Sequence, residues 1–251
     1  MAMRERFYVD TAVFRYRSGY REVNALLAVP SVPQPMPAIL LAHDIFGLDD
    51  YVEELAIRFA REGYAVLVPD FYSTKGGPGP TNTFEDQQHL RLNTPDLLAV
   101  GDINNGYNYL KNEDYVDSRR VAVVGFGFGG TIALLAAAQN RELAAAVDFY
   151  GDIVYSKEII GRTKPNSPLD MIPYINCPVL CIYGVSDDLI SRQDVSLLER
   201  RLREKGKAFD LKVFSGAPNG FMNERRPEVY RPSVAREAMT LTLNWLDNIL
   251  K

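Results

Sequence analysis

The sequence predicts an α/β protein with a mostly parallel central sheet and helices on both faces. Short apolar runs alternate along the chain with longer segments of helical periodicity, and turn residues separate them. Several of the apolar runs, such as "AILLA" and "VAVV", have no polar residue at alternate positions. Strands covered on both faces of a parallel sheet have this pattern. The repeated change from strand to helix is typical of a parallel α/β sheet.

The apolar runs predicted to be strands are "NALLAV", "AILLAH", "AVLVPD", "VAVVG", "LAAAVDFY", "PVLCIYG" and "FDLKVF". Helical periodicity predicts helices over Tyr51–Glu62, Thr94–Lys111, Gly129–Gln139, Arg192–Lys205 and Pro232–Ile249. Residues 31–37 suit a loop between two early strands, and "STKGGPGPTN" (73–82) is predicted to be a mobile surface loop at the rim of a site. The chain has no repeat and no interdomain linker, so we expect residues 1–251 to form one domain.

Charge and composition exclude several classes of function. The net charge of −4 provides no basic field for nucleic acid and no polybasic patch for a membrane surface. The first residues lack the apolar core of a signal peptide, which favours a cytoplasmic protein. Cys177 and Cys181 are expected to be buried and unbridged, and with two histidines the chain is expected to hold no metal and no cofactor.

The stretch "VAVVGFGFGGTIALLAAA" (121–138) predicts a buried strand, a glycine-rich turn and a helix. Gly125, Gly127 and Gly130 satisfy the dinucleotide-binding pattern G-x-G-x-x-G, and Asp148 at the end of the next strand could bind a ribose hydroxyl. The same shape also houses the nucleophile elbow of hydrolases, G-x-nucleophile-x-G. Position in the chain argues against the dinucleotide interpretation, because that fingerprint usually lies in the first β-α-β unit.

Ligands of open parallel sheets bind beyond the carboxyl ends of the strands. The residues that follow the predicted strands are His43, Asp44, Ile45, Phe46, Asp70, Tyr72, Gly127, Gly151, Asp152, Ser186, Asp187, Asp188, Pro218, Asn219 and Gly220. Catalytic triads on this kind of sheet occur in the order nucleophile, acid, histidine. In this chain those three positions are Gly127, Asp187 and Asn219.

Four segments resemble the dienelactone hydrolase (carboxymethylenebutenolidase) family of the α/β-hydrolase superfamily, and the resemblance runs nearly end to end. They are "PAILLAHDIFGLDDYVEELAIRFAREGYAVLVPDFY", "GFGFGG", "YGVSDDLI" and "GAPNGFMNERRPEVYRPSVAREA". The resemblance implies an α/β-hydrolase fold and the hydrolase class that acts on carboxylic esters and lactones. It also implies that Asp187 is the triad acid and that Asp44 corresponds to the family's extra acid beside the oxyanion loop.

Two positions depart from the family pattern. Gly127 stands where the elbow motif G-[FY]-C-[FL]-G-G has its cysteine, and Asn219 stands where G-A-x-H-G-F has its histidine. A sharp elbow holds its central residue at positive φ, which glycine adopts with little strain. Covalent acyl transfer needs a nucleophile and a base within hydrogen-bond reach. We therefore expect triad hydrolysis to be absent.

Other side chains do not restore such a pair. Cys177 begins its strand at the wrong end of the sheet, and Cys181 lies within the strand. Ser186 and Ser215 lie near the correct edge but have no histidine nearby in the predicted layout. His43 is expected to brace the oxyanion loop. His89, in a polar helix or loop, is expected to be solvated.

Glycine at position 127 and asparagine at position 219 should leave the backbone part of the site intact. The N–H groups of Ile45 and Phe128 would form an oxyanion hole, and the positive end of the helix that begins near Gly129 would face it. Asp44 and Asp187 are the candidate acid–base residues, and glycine at 127 should enlarge the pocket floor. The candidate ligand-binding residues are Ile45, Phe128, Gly127, Asn219, Phe46, Tyr72, His43 and Phe221, with Phe126 and Tyr150 as further apolar walls.

These residues predict a pocket for a small carboxylate, lactone or enol ligand. The protein would be a pseudoenzyme or a non-hydrolytic isomerase, lyase or cyclase. The alternative is weak lactone or ester hydrolysis by a water that an aspartate activates, and dinucleotide binding ranks last. We expect no nucleic acid or membrane partner, and a monomer or small homo-oligomer.

Overall fold

The structure is a computed structural model that describes residues 7–73 and 83–251. Most of the predicted rim loop, residues 74–82, lies outside the described residues. Within the described part, no helix is both long and apolar enough to cross a membrane.

A single eight-stranded sheet organises the described residues. Its strands are β1 (Val9–Ser18), β2 (Arg21–Pro30), β3 (Met36–Ala42), β4 (Ala65–Pro69), β5 (Val116–Phe126), β6 (Ala145–Phe149), β7 (Val179–Gly184) and β8 (Phe209–Phe214). Their order is β1-β2-β4-β3-β5-β6-β7-β8. The β1–β2 and β2–β4 pairs are antiparallel and the others are parallel. The predicted mostly parallel sheet is confirmed.

Strand β1 was not predicted, because its sequence VDTAVFRYRS has no clear apolar alternation. It forms the outer edge of the sheet, and residues 10–13 are exposed on both faces of the strand. Burial on one face begins only near Tyr16 and Ser18, so the first half of the strand carries no periodic signal in its sequence. The strands at the centre of the sheet differ, since every residue of β3 and β4 is buried.

The helices are α1 (Asp50–Ala60), α2 (Phe84–Leu92), α3 (Asp96–Lys111), α4 (Phe128–Gln139), α5 (Pro168–Met171), α6 (Arg192–Glu204) and α7 (Pro232–Leu250), with a 3₁₀ turn at Ile172–Tyr174. The five predicted helices are present, with ends that differ by one or two residues. The sequence left α2 undecided between helix and loop. Helix α4 is apolar all round because it is buried between the sheet and its neighbours, including α3.

Both cysteines are buried and unbridged, as predicted. Cys177 lies just before β7 and Cys181 lies within the strand.

Asp148 lies inside the sheet and is fully buried. Its Oδ1 accepts a hydrogen bond of 2.9 Å from the Gly151 N–H, and its Oδ2 accepts one from the Tyr183 hydroxyl. Both carboxylate oxygens are engaged by the protein and the side chain is fully buried, so it is not accessible to a ribose hydroxyl. Burial raises the pKa of Asp148 to about 7, against the lowering effect of these two hydrogen bonds.

The raised pKa of Asp148 predicts a loss of stability as the pH rises. The folded protein binds a proton here that the unfolded chain has released, so stability falls between the unfolded pKa of 3.8 and the folded pKa of about 7. We expect Asp148→Asn to remove this dependence, which is at most about 1.4 kcal/mol per pH unit. Urea unfolding of both proteins at pH 5 to 7.5 measures the difference in slope. Parallel curves would contradict the assignment.

Candidate functional site

The register of the parallel strands brings the candidate residues to one edge. Ala42 of β3 lies opposite Gly125 of β5, and Phe126 lies opposite Phe149 of β6. The residues that follow these strands therefore meet, as parallel strands require. Asp187 after β7 and Asn219 after β8 join them.

Gly127 forms the turn between β5 and α4. Its φ of 54° and ψ of −118° lie in a region that side chains rarely adopt. Its N–H donates to the Phe149 carbonyl oxygen at 2.9 Å. The turn also packs tightly against β3, since a Cβ added at Gly129 would lie 2.6 Å from the His43 carbonyl oxygen. The turn has the sharp geometry expected of an elbow.

The Asp44 carboxylate fills the space beside Gly127. Asp44 Oδ1 accepts hydrogen bonds from the Ile45 N–H at 2.7 Å and the Phe128 N–H at 3.2 Å. A Cβ at position 127 would lie 2.7 Å from Asp44 Oδ2 and closer still to Oδ1. The expected enlargement of the pocket floor is therefore wrong, because a neighbouring acid occupies the volume. We call the N–H groups of Ile45 and Phe128 the amide pair.

Burial raises the pKa of the Asp44 carboxyl above its ordinary value. The two hydrogen bonds of the amide pair, and the positive charges of Arg91 and Arg226, act in the opposite direction. The two N–H groups of the amide pair therefore stabilise negative charge on Asp44 Oδ1, whereas burial of the side chain disfavours that charge.

Two hydrogen bonds hold the His43 ring next to Asp44. Its Nε2 accepts from the Phe71 N–H at 3.0 Å, and its Nδ1 lies 2.7 Å from the Asp44 carbonyl oxygen. Nδ1 therefore carries the proton and the ring is neutral, consistent with burial that lowers its pKa. These are the contacts expected of a residue that braces the loop.

Asn219 lies beside Asp187, the predicted acid of the triad. Its Nδ2 donates to Asp187 Oδ2 at 2.9 Å and to the Tyr150 carbonyl oxygen at 3.3 Å. Asp187 Oδ1 accepts from the N–H groups of Leu189 and Ile190, both at 2.8 Å. Both oxygens of Asp187 are thus engaged, and the Asn219 amide nitrogen has no lone pair with which to accept a proton.

A narrow cavity opens onto the amide pair, with about 20 Å³ accessible to the centre of a water molecule. Its predicted lining residues are Asp44, Ile45, Gly127, Phe128, Tyr150, Asp152 and Asn219. The structure does not bring Phe46, Tyr72, His43 or Phe221 to this lining, and the candidate acid–base residue Asp187 is also absent from it. Tyr72 and Phe221 are fully buried, and His43 borders a second cavity that Asp44 also lines.

Four lining residues were missed by sequence reasoning: Gln88, Arg91, Leu189 and Arg226. Arg91 is only 9% exposed and forms an ion pair with Asp152, and its buried Nε has no hydrogen-bond partner among the described residues. Arg91 lies on α2, a polar helix whose contact with the strand ends is not encoded by local periodicity.

The chain after α2 is tied to the loop that follows β6. Thr163 Oγ1 donates to the Leu92 carbonyl oxygen at 3.2 Å, and the buried Lys164 Nζ donates to that of Thr94 at 3.0 Å. Lys164 also pairs with Asp96, and its Nζ lies 4.6 Å from the centre of the Phe128 ring. These contacts hold Arg91 over the cavity.

The remaining polar candidates lie elsewhere. Cys177 and Cys181 do not line the cavity, and burial raises the pKa of both thiols. Ser186 and Ser215 are exposed and also lie outside it. His89 is exposed on α2, near Asn93.

Comparison with known proteins places this chain in a family. The model of the dienelactone hydrolase family matches residues 23–250. The chain belongs to the dienelactone hydrolase family. A "probable 2-oxo-3-(5-oxofuran-2-ylidene)propanoate lactonase" from Bradyrhizobium sp is 30% identical over 222 residues, covering 88% of each chain. A "putative carboxymethylenebutenolidase" from Escherichia coli strain K12 is 28% identical, over 84% of this chain and 76% of the relative.

The fold agrees with this membership. The crystal structure of a "putative dienelactone hydrolase" from Klebsiella pneumoniae matches with a TM-score of 0.90 and 26% identity, over 96% of this chain and 99% of that one. The protein therefore has the α/β-hydrolase fold expected from the sequence.

The close approach of Asp44 predicts that Gly127→Ala is costly. A non-glycine residue at positive φ costs about 1–3 kcal/mol, and the new methyl group would also push against the Asp44 carboxylate. Gly206→Ala is the matched control, because Gly206 has a φ of 61° and no atom within 4 Å of an added Cβ. Chemical unfolding should show a larger loss at position 127. In an Asp44→Ala background the loss at position 127 should become smaller while that at position 206 stays the same, and an unchanged loss at position 127 would refute the contact.

Proposed function

We propose that this chain binds a small ligand through a carboxylate, lactone or enol oxygen at the amide pair, without forming an acyl-enzyme. The observation that carries the proposal is the Asp44 carboxylate, whose Oδ1 accepts from both N–H groups. An oxygen acceptor is therefore what this backbone arrangement already accommodates, and its two donors would stabilise negative charge on that oxygen. The N-terminus of α4 adds positive potential at the same point.

The lining side chains argue against covalent hydrolysis. Among the described residues that border the cavity there is no serine, cysteine, threonine, lysine or histidine. Gly127 provides no attacking atom, and Asn219 is already bonded to Asp187. An acyl-enzyme route would need both a nucleophile and a base at hydrogen-bond distance.

Arg91 supports a ligand that carries an acidic group. Its guanidinium borders the cavity, is nearly buried, and retains one Nε without a partner within residues 7–73 and 83–251. A buried unsatisfied donor is unfavourable until a ligand fills it. The Bradyrhizobium relative is named for a lactone that bears a propanoate group. We extend that ligand class, an acid with a lactone or enol oxygen, to this chain.

A second candidate function uses Asp44 as an acid or base. Its carboxyl has a raised pKa and lies where the elbow side chain would project. From this position it could move a proton of a bound enolisable acid, or activate a water for slow lactone hydrolysis. Asp44→Asn should then abolish turnover while the amide pair still binds the ligand.

Titration with 2-furoate tests the proposed binding. We expect saturable shifts of the Ile45 and Phe128 amide resonances in ¹H–¹⁵N NMR spectra, because the added carboxylate would accept their hydrogen bonds. Arg91→Gln should weaken binding by roughly tenfold, the effect of one hydrogen bond to a charged group. Arg203→Gln is the control, since Arg203 forms its ion pair with Glu199 on the exposed face of α6.

Two results would reject the proposal. One is that 2-furoate shifts the amide-pair resonances no more than the uncharged 2-furamide does. The other is a stable acyl adduct, detected by intact mass spectrometry after incubation with phenyl acetate.

Restoring the family motif should create esterase activity. Gly127→Cys with Asn219→His supplies a nucleophile and a base at an elbow whose backbone is intact. We expect phenyl acetate hydrolysis to rise by roughly 10²-fold over the unaltered protein, the low end of general-base catalysis. Gly127→Cys alone is the control and should stay near the starting rate. An inactive double variant that folds normally would contradict the assignment of these positions to the elbow and the histidine.

A further inference from the structure

A groove between α1 and α7 lies apart from the amide-pair cavity and shares no lining residue with it. About 440 Å³ of this groove is accessible to the centre of a water molecule. Pockets that bind small molecules measure about 300–1,000 Å³. The space is therefore large enough for a small ligand, and we call it the α1–α7 groove.

Each wall of the α1–α7 groove is one face of a helix. Residues spaced by three and four positions share a helix face, and the α7 wall has this spacing: Arg236, Met239, Thr240 and Leu243. The opposite wall is formed by the last turn of α1 and the residues directly after it: Arg58, Arg61 and Glu62. The distance along α7 from Arg236 to Leu243 is about 10 Å at 1.5 Å per residue.

The floor of the groove is apolar. Met222 and Ala235 are buried there, with 3% and 7% of their surface exposed. Met239 and Leu243 extend the apolar surface along α7, and both are only partly buried. A hydrocarbon chain lying in the groove would remove this surface from water, which is favourable.

The rim of the groove is positively charged, although the chain has a net charge of −4. Three arginines and one glutamate line it. Arg58 is engaged in ion pairs with Glu54 and Glu224. Arg61 and Arg236 are exposed, and neither guanidinium forms a hydrogen bond or ion pair with any residue that the structure describes. Two cationic side chains beside the apolar floor are therefore available to an anion.

We propose that the α1–α7 groove binds an amphipathic anion, a carboxylic acid with a medium-length hydrocarbon chain. Arg61 and Arg236 bind the carboxylate, and the chain lies on the apolar floor. The six residues before Phe7 contain two arginines and one glutamate, so their charge does not complement the groove. The inference is independent of the proposed function, because the two sites have no residue in common.

Octanoate is the test ligand, because its extended length is about that of the α7 wall. It is titrated into the full chain labelled with ¹³C at the methionine methyl groups. We expect saturable shifts of the Met222 and Met239 resonances, whereas Met36, fully buried on β3, is the internal control. The uncharged 1-octanol should bind at least tenfold more weakly, because it lacks the charged hydrogen-bond acceptor.

Two substitutions test the arginines. Arg61→Gln and Arg236→Gln change exposed side chains, so we expect both variants to fold normally. Combined, they should weaken octanoate binding by at least tenfold, the effect of losing a hydrogen bond to a charged group. Arg203→Gln is the matched control, because this exposed arginine lies on α6 and pairs with Glu199.

Chain length tests the apolar floor. Decanoate should bind at least tenfold more tightly than hexanoate, because it buries more methylene groups. Acetate should give no saturable shift of the Met222 or Met239 methyl groups, since it has the carboxylate without the chain. Equal affinity for hexanoate and decanoate would overturn the proposal.

Three further results would overturn it. The first is a double arginine variant that binds octanoate as tightly as the unaltered protein. The second is a set of octanoate shifts confined to the Ile45 and Phe128 amides, which would mean that the acid binds only at the amide pair. The third is a dependence of the Met222 and Met239 resonances on protein concentration without octanoate, which would make a second copy of the chain the occupant of the groove.

Discussion

The hydrogen bonds from the Ile45 and Phe128 N–H groups to the Asp44 carboxylate determine the character of this site. They join the loop after β3 to the first turn of α4, and they satisfy two backbone donors that would otherwise face an almost closed cavity. The same contact explains how the turn tolerates a residue without a side chain. The volume beside Gly127 is filled by the Asp44 carboxyl group, so the elbow keeps both its shape and an oxygen acceptor for its two N–H donors.

The central part of the fold could be predicted from sequence because its signals are local. The buried strands are short apolar runs, and α6 has a clear apolar face with Ser191 accepting a hydrogen bond at its N-terminus. β1 and α2 gave weaker signals for opposite reasons. β1 has little buried surface, and α2 is polar with contacts made mainly to distant segments, such as the ion pair of Arg91 with Asp152.

In the candidate site, too, some features could be predicted from the sequence and others could not. The expectation that ligands bind beyond the carboxyl ends of parallel strands identified Asp44, Gly127, Asp187 and Asn219, because those strand ends meet at one edge of the sheet. Side-chain directions were not predictable from the sequence. The Asp44 side chain points at the Phe128 N–H, and Tyr72 is absent from the cavity lining. Both results depend on distances between segments that are far apart in the sequence.

Asp44 is adjacent in sequence to Ile45, so its carboxylate folds back onto the N–H of the very next residue. A single methylene separates the Asp44 carboxylate from its Cα, so this hydrogen bond closes a small ring. Chain length at position 44 and bulk at position 127 therefore form one steric unit, in which a small residue on one side accommodates a particular reach on the other. Variation at these two positions among relatives is informative when they are compared as a pair.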